Sequence, residues 1–293
     1  MHKILSTVLA LALVTAAASP AAADTSAADA RASVPSDVTV AFAVYDRDSA
    51  RTTLRYNEHQ QIRSASVVKL LIALDYFETN GPDTPIPDAD LALLVPMLRS
   101  SNDDAASELW VRLGWEKIVE RAVTRLHLVD SAPPVNVGFW GYTALSAADV
   151  VTIYRHVLED APARVRDFIM DNLYAATTCA SDGFDQSFGI PQALPGKVAF
   201  KQGWSRFGDV PPRPCVEPKP RRFIGASKDG DERGLAPDLV RPAMHTTGVY
   251  GHKIMAVLTL EPEGTTWDQS AQRITVLTGA VYLAERIIGG HAV

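Results

Sequence analysis

The positions of the strand-like segments restrict the fold of this chain more than any other feature of its sequence. Residues 38–45 and 51–56 are rich in β-branched and aromatic side chains and flank a turn-like cluster, which predicts a hairpin. Strand character returns only late in the chain, at 197–204, 243–250 and 253–260. The segment between these groups has the helical spacing of apolar residues. We therefore predict an α+β fold, in which strands from both ends form one antiparallel sheet packed against a helical region.

Ser66 and Lys69 stand one helical turn apart at the start of an apolar segment, 66–77. Residues three apart share a face of a helix, so the Lys69 amine can take a proton from the Ser66 hydroxyl. Serine attacks poorly without such a base, and burial of the helix favours the neutral lysine that a base requires. By itself the pair also fits a helix N-cap serine followed by a surface lysine.

Two further segments follow this pair along the chain. The first is Ser100-Ser101-Asn102-Asp103, at the head of a helical segment, and the second is Lys201-Gln202-Gly203 in a strand-like segment. With Ser66-Val67-Val68-Lys69 they resemble the Ser-x-x-Lys, Ser-x-Asn and Lys-Thr/Ser-Gly signatures of the penicillin-recognising serine enzymes. The resemblance runs from about residue 38 onward and is closest to class A β-lactamases and D-alanyl-D-alanine peptidases. It implies a five-stranded sheet, an all-helical lobe and an active site in the crevice between them.

The resemblance also implies a role for several residues. Ser66 would be the nucleophile and Lys69 its base. The backbone N–H groups of Ser66 and Trp204 would hold the oxyanion, which is often the largest contribution to such catalysis. Gly203, which has no side chain, would let a substrate lie close along its strand. Lys201 would supply a fixed positive charge for a substrate carboxylate.

The middle motif can be placed in two registers. Ser100 and Asn102 match the Ser-x-Asn pattern literally, whereas alignment on the Ala-Ala pair that follows selects Ser101 and Asp103. We prefer the second register, because the helical segment after it fixes the spacing. An ionised aspartate only accepts hydrogen bonds, and its charge would hold Lys69 protonated, which opposes the role of a neutral base.

A second departure from the family pattern concerns hydrolysis of the acyl-enzyme. Class A β-lactamases use a glutamate-activated water, and the glutamate lies on a loop after the middle motif. The corresponding stretch here, 127–142, contains no glutamate, and its single acid, Asp130, lies early in it. We therefore expect slow or absent deacylation rather than efficient β-lactamase turnover.

The first residues have the pattern of a secretory signal. A lysine precedes an apolar run at 4–18, and three alanines stand before Asp24, which predicts a cleaved signal peptide at 1–23. The run is short and alanine-rich for stable membrane insertion, and a retained anchor is the alternative. No cysteine follows the run to carry a lipid. We expect a secreted protein with a flexible tether at 24–37 and one domain at 38–293.

A long segment within that domain, 206–241, is rich in proline, glycine and charge. Long loops in compact domains are usually functional or disordered. Because this one directly follows the Lys201 strand, it is either a lid over the crevice or a surface insertion.

Cys179 and Cys215 are the only cysteines of the chain. An even pair in an exported protein predicts a disulfide, and two buried free thiols are the alternative. The bridge would enclose the Lys201 motif and so fix one wall of the site.

Charge and histidine content argue against other kinds of site. A net charge of −6 offers no basic surface for nucleic acid. His245 and His252 flank the last predicted hairpin without a second ligand at metal-binding spacing, so we expect neither a metal nor a cofactor.

The sequence is therefore interpreted as an exported serine hydrolase that forms an acyl-enzyme with an amide or β-lactam. Its substrate would be a small molecule or a peptidoglycan peptide. The alternatives are a D-alanyl-D-alanine carboxypeptidase or an esterase, or a non-catalytic binding protein that keeps the fold.

Overall fold

A five-stranded antiparallel sheet forms the centre of the fold. The structure, a computed structural model, describes residues 20–216 and 237–288. The strands are β1 (Thr39–Asp46), β2 (Arg51–Tyr56), β5 (Val198–Ser205), β6 (Ala243–Tyr250) and β7 (Lys253–Leu260), and they lie in the order β2-β1-β7-β6-β5. The pairing of β1 with β7 joins the two ends of the chain. The predicted α+β fold is confirmed.

Helices cover both faces of this sheet. They are α1 (Pro20–Arg31), α2 (Lys69–Asn80), α3 (Asp88–Arg99), α4 (Asp103–Arg112), α5 (Lys117–Leu126), α6 (Ala147–Arg155), α7 (Ala163–Tyr174), α8 (Ile190–Ala193) and α9 (Trp267–Ile288). A short second sheet joins β3 (Ile62–Arg63) to β4 (Ala144–Leu145). Within the described ranges, no helix has the length and apolar character needed to cross a membrane.

The alternation of side chains along β1 divides the core into two parts. Neighbouring residues of a strand point to opposite faces of the sheet. Ala41 and Ala43 face the helical lobe of α2 to α7, whereas Val40 and Phe42 pack with α1 and α9. Both faces of β1 are therefore buried, and the chemistry-bearing residues lie where β5 meets the helical lobe.

Helix α1 differs from the flexible tether expected at 24–37. Its small side chains Ala27 and Ala30 are buried in the core part that contains α9. Arg31 is the last residue of the helix, and its guanidinium donates to four backbone carbonyls of the following segment, including those of Val34 at 3.0 Å and Val38 at 2.8 Å. Alanine-rich composition suggested a linker, but tertiary packing of the alanine face gives a helix. The apolar run of the predicted signal peptide lies outside the described residues.

The buried Arg63 side chain connects the small sheet to the region after β5. Its Nε donates to Ser205 Oγ at 2.7 Å, and its two other nitrogens donate to the carbonyls of Asp238 and Arg241. These contacts fix the chain beside Ser64, whose N–H donates to Thr143 O at 2.7 Å. The start of α2 is thus held from two sides.

The predicted disulfide between Cys179 and Cys215 is confirmed, with an S–S distance of 2.07 Å. It closes a loop that contains β5. The Cys215 N–H also donates to Gly183 O at 3.1 Å, so the bridge holds the turn at 180–184 against the residues that follow β5. Residues 217–236 of the long segment 206–241 lie outside the described residues.

Close contact between β5 and β6 gives a stability prediction. A Cβ added at Gly248 would lie 2.1 Å from Ala199 O, whereas one added at Gly279, in α9, would meet no atom within 4 Å. We expect Gly248→Ala to lower the free energy of unfolding by about 3 kcal/mol or more through overpacking. Gly279→Ala should leave it unchanged or raise it by about 1 kcal/mol, because alanine favours helices. Urea unfolding of both variants checks this; equal midpoints would contradict it.

Candidate active site

Ser66 lies in a 3₁₀ turn, Ala65–Val68, that leads directly into α2. The sequence predicts one helix over 66–77, and the structure begins the α-helix only at Lys69. Ala65 has a φ of 43°, in the left-handed region that non-glycine residues rarely adopt. Such strain costs on the order of 1–3 kcal/mol and is concentrated at functional sites. The sharp bend places the Ser66 side chain at the edge of a crevice while the following residues enter the core.

The Lys69 ammonium group is fully buried beside Ser66. Its Nζ donates to Ser66 Oγ at 2.8 Å, to Ser101 O at 2.6 Å and to Asp103 Oδ1. It also lies 4.7 Å from the centre of the Trp140 ring, which favours the charged form. Burial lowers the pKa of Lys69, while the charge and hydrogen bond of Asp103 act in the opposite direction. The lysine is therefore placed to accept the Ser66 proton, with Asp103 opposing its deprotonation.

The Ser101 hydroxyl connects two lysines. Ser101 follows α3 with a φ of 55°, so a second non-glycine residue of this site occupies the left-handed region. Its Oγ accepts from Lys201 Nζ at 2.8 Å and lies 3.2 Å from Lys69 Nζ. Burial, followed by the charge of Lys69, holds the pKa of Lys201 well below its usual range. One hydroxyl thus lies between two amines that cannot both be charged at low cost.

The two registers of the middle motif have different surroundings. Asn102 caps α4, because its Oδ1 accepts from the Ala105 N–H at 2.8 Å. The Ser100 hydroxyl lies 2.7 Å from Ser181 Oγ. Ser101 and Asp103 are the members of this segment that contact Lys69, and this is the register preferred from the sequence.

Strand β5 approaches the nucleophile through Gly203. A Cβ at this position would lie 2.9 Å from Ser64 O and 3.2 Å from Ser66 N, so any larger residue would push the strand away. The approach brings the backbone at Gly203 and Trp204 next to the Ser66 N–H. This is the neighbourhood in which the sequence analysis expects the oxyanion donors.

Lys201 and Gln202 of the same strand do not present their polar groups to solvent. Lys201 is 1% exposed, and its Nζ also donates to Gln202 O at 2.9 Å. The Gln202 amide, which stands where the family motif has Thr or Ser, donates to Gln186 O at 3.1 Å and to Phe188 O. A substrate carboxylate in the crevice therefore meets neither an exposed Lys201 ammonium nor a hydroxyl at 202.

The crevice beside Ser66 has a volume of about 260 Å³. Four segments form its walls: the start of α4 at 103–107, the 138–142 stretch of the loop after α5, the 182–184 turn, and residues 204–209, which end β5 and begin the long segment. The described start of that segment thus forms one wall of the site.

Asp182 is a crevice residue that the sequence analysis missed. It lies on the disulfide-anchored turn, where its Oδ1 accepts from the Phe184 N–H at 3.1 Å and its carboxylate also bonds the Trp204 side chain. Burial and the nearby charge of Asp103 raise the pKa of Asp182. In the sequence, Asp182-Gly183 has only the pattern of a turn. The one available signal was the disulfide, which ties this turn to the Lys201 strand.

The loop after α5 contributes no acid to the crevice. Within this fully described loop, the Asp130 carboxylate instead accepts from Ser146 Oγ at 2.8 Å and lies 2.8 Å from His59 Nδ1. The loop presents aromatic rings to the crevice, among them Trp140, whose Nε1 donates to Ser107 Oγ at 3.1 Å. The part of this loop that lines the crevice, residues 138–142, carries no carboxylate.

The histidines have structural contacts outside the crevice. His245 is fully buried, its Nε2 donates to Arg63 O at 2.8 Å, and burial lowers its pKa to about 4. Among the described residues, Asp46, Asp48 and His252 lie close enough together to share an ion. Lys253 already pairs with Asp46 at 2.9 Å, and the group lies at a turn of the sheet away from Ser66.

Two sequence relatives are mycobacterial. Proteins named "Putative lipoprotein LppW" from Mycobacterium bovis and Mycobacterium tuberculosis are 37% identical to this chain over 172 residues. The match covers 57% of this chain and 54% of each relative, so the chain spans about half the length of these curated relatives. No protein-family model matches the chain.

Solved structures show the fold to which this chain is similar. A class A β-lactamase from Mycobacterium abscessus superposes with a TM-score of 0.62 at 17% identity, over 90% of this chain and 98% of the other. A structure of PBP-A gives a TM-score of 0.60 at 15% identity, over 90% and 96%. A β-lactamase from Sphaerobacter thermophilus gives 0.60 at 14%, over 91% and 98%. The chain therefore has the fold of the serine β-lactamases and penicillin-recognising proteins.

The contact between Asp103 and Lys69 predicts a shift in the pH dependence of Ser66 reactivity. Removing the carboxylate charge in Asp103→Asn lowers the pKa of Lys69 further, so the neutral base forms at lower pH. Below that pKa, we expect labelling of Ser66 by a fluorophosphonate to accelerate about tenfold for each unit of the shift. Asp171→Asn, which removes the same charge from an exposed position of α7 outside the crevice, is the control. A rate profile that stays in place or moves to higher pH in Asp103→Asn would contradict this account.

Proposed function

We propose, from the fold shared with serine β-lactamases, that this chain is an exported serine hydrolase that forms an acyl-enzyme through Ser66. The observation that carries the proposal is the 2.8 Å contact between Lys69 Nζ and Ser66 Oγ at the edge of a crevice. The contact of Ser101 with both Lys69 and Lys201 supports it, because this completes a path for a proton across the site.

The acylation step follows from these contacts. Neutral Lys69 takes the Ser66 proton as the Ser66 oxygen bonds to the acyl carbon of an amide or β-lactam. The negative charge that develops on the carbonyl oxygen is held by the N–H groups of Ser66 and Trp204. The proton then passes through the Ser101 hydroxyl to the leaving nitrogen, and the carbon–nitrogen bond breaks. Lys201, buried against Ser101, orients this hydroxyl.

Export is part of the proposal. The relatives are named as lipoproteins, and the sequence has a signal-like start, although no cysteine follows its apolar run. The Cys179–Cys215 disulfide suits an oxidising compartment outside the cytoplasm. We assign the chain to the exported fraction with a cleaved signal peptide.

A non-catalytic binding protein is the second candidate, and one observation favours it. The Asp103 carboxylate is hydrogen-bonded to Lys69, which stabilises the protonated lysine that cannot act as a base. In that case the crevice would bind its ligand without forming a covalent bond to Ser66. A peptidase or esterase is the alternative within the enzymes, because the loop after α5 offers no acid for β-lactam hydrolysis.

Labelling of Ser66 separates the two candidates. We expect a fluorophosphonate or a β-lactam to add one covalent label to the wild-type protein, and Ser66→Ala to lose it completely. Ser49→Ala, which removes an exposed hydroxyl on a turn outside the crevice, is the control and should keep the label. Intact-mass measurement gives the answer. A label that persists in Ser66→Ala would refute the nucleophile, and no label on the folded wild type would favour the binding protein.

We expect the adduct with a β-lactam to be long-lived. Proton transfer by a positioned base is typically worth about 10²–10⁴ in rate, and the loop after α5 supplies no acid for the attacking water. The measurement is nitrocefin turnover in parallel with time-resolved mass spectrometry of the adduct.

Variants of two crevice acids test whether the missing loop acid explains the long lifetime of the adduct. Asp103 faces Lys69, and Asp182 is held by Phe184 and Trp204, so neither replaces the loop acid in our account. Rapid multiple turnover that disappears in Ser66→Ala would contradict the prediction. If that turnover is also lost in Asp182→Asn but not in Asp103→Asn, then Asp182 is the deacylating base.

A further inference from the structure

We propose that the crevice selects acyl donors that carry a positive charge, and that aromatic rings and carboxylates around Ser66 form the recognition surface. The proposal rests on the proposed function, because it names the class of substrate for the same nucleophile. It differs from the carboxylate-bearing substrate that the sequence resemblance implies.

Carboxylates outnumber accessible cations in this cavity. The acids that line it are Asp103, which already pairs with Lys69, its neighbour Asp104 in α4, Asp182 on the disulfide-anchored turn and Asp209 at the start of the long segment. Lys69 and Lys201 lie beneath the floor, 0% and 1% exposed, with their ammonium groups bonded to protein oxygens. Arg206 is the one basic side chain among the described lining residues, and its Nε donates to Leu239 O at 3.0 Å. The field inside the crevice therefore favours a cation over an anion.

Aromatic rings give this charge preference a specific binding surface. Six line the cavity, and they come from three of its four walls: Phe139, Trp140, Tyr142, Phe184, Trp204 and Phe207. Ring faces attract ammonium groups, and aromatic cages are the usual means of binding quaternary ammonium ligands. A carboxylate nearby adds a Coulombic attraction. The crevice already shows this interaction, since Lys69 Nζ lies 4.7 Å from the centre of the Trp140 ring.

A carboxylate and several aromatic rings of the crevice wall are fixed by contacts with one another. Asp182 is bonded to the Trp204 side chain and to the Phe184 backbone N–H, so a carboxylate is fixed beside an aromatic ring of this wall. Phe184 and Trp204 in turn pack on Trp267, with ring centres 4.5 Å and 5.6 Å away. The disulfide at Cys179 anchors this turn. The cation-binding wall is therefore rigid before any substrate arrives, which lowers the entropic cost of binding.

Three p-nitrophenyl esters that differ in charge test the inference. The cationic donor is 4-(trimethylammonio)butanoate, the neutral one is its carbon isostere 5,5-dimethylhexanoate, and the anionic one is hydrogen glutarate. In each case Ser66 would displace p-nitrophenolate, whose release gives kcat/KM for acylation. We expect the cationic ester to exceed its neutral isostere by about tenfold at low salt and the anionic ester to be the slowest. Added salt should reduce the preference, because exposed charges are screened.

Variants locate the preference within the crevice. Asp182→Asn and Asp209→Asn should each reduce the ratio of cationic to neutral kcat/KM, and the double variant should reduce it further. Asp171→Asn removes a charge of the same sign from an exposed position of α7 outside the crevice and should keep the ratio. Equal rates for the cationic and neutral esters, a faster anionic ester, or a ratio insensitive to Asp182 and Asp209 would overturn the inference.

Binding to Ser66→Ala keeps this test independent of catalysis. If no ester acylates the wild type, the proposed function fails, and calorimetry with the amides of the same three acids decides the recognition. Tighter binding of the trimethylammonio amide than of its carbon isostere supports the inference. Equal binding, or tighter binding of the anionic amide, refutes it.

Discussion

The burial of two amines against one hydroxyl is the constraint on which the site depends. Lys69 and Lys201 come from different parts of the fold, and both reach Ser101 in a region without solvent. Unpaired buried charges are strongly destabilising, so each amine must find oxygen partners or lose its proton. Asp103 satisfies one of them, and the hydroxyl and a backbone carbonyl satisfy the other. Ser101, whose backbone lies in the left-handed region, holds its hydroxyl between the two amines.

The sheet and the helical lobe meet through the same contacts. Strand β5 lies against the 3₁₀ turn only because Gly203 has no side chain, and Arg63 ties the small sheet to the region that follows β5. A change in either contact would separate the nucleophile from the strand that completes its surroundings. Stability and chemistry are therefore coupled at this junction, since the residues that hold the two parts together also shape the crevice.

Much of the fold could be predicted from the sequence, because strand-like segments and turn residues are local signals. The two hairpins and the helical centre are of this kind, and the disulfide could be predicted because the chain has only two cysteines. Helix α1 was not predicted, because its stability comes from burial of Ala27 and Ala30 against α9 rather than from its own pattern. Asp182 was missed for a similar reason. Its neighbours Asp103 and Trp204 are distant in sequence, and only the folded chain brings their charges and rings together.

The Cys179–Cys215 bridge has a consequence for how the protein is prepared. Material made in a reducing cytoplasm would keep the contact between Ser66 and Lys69, which needs no cross-link, while the wall that carries Asp182 would lose its covalent anchor. Such a sample would still react with small, unselective probes and yet misreport which substrates the protein prefers. Mass spectrometry of the thiols is therefore as necessary a quality check as the circular dichroism spectrum, because secondary structure would look the same in both forms.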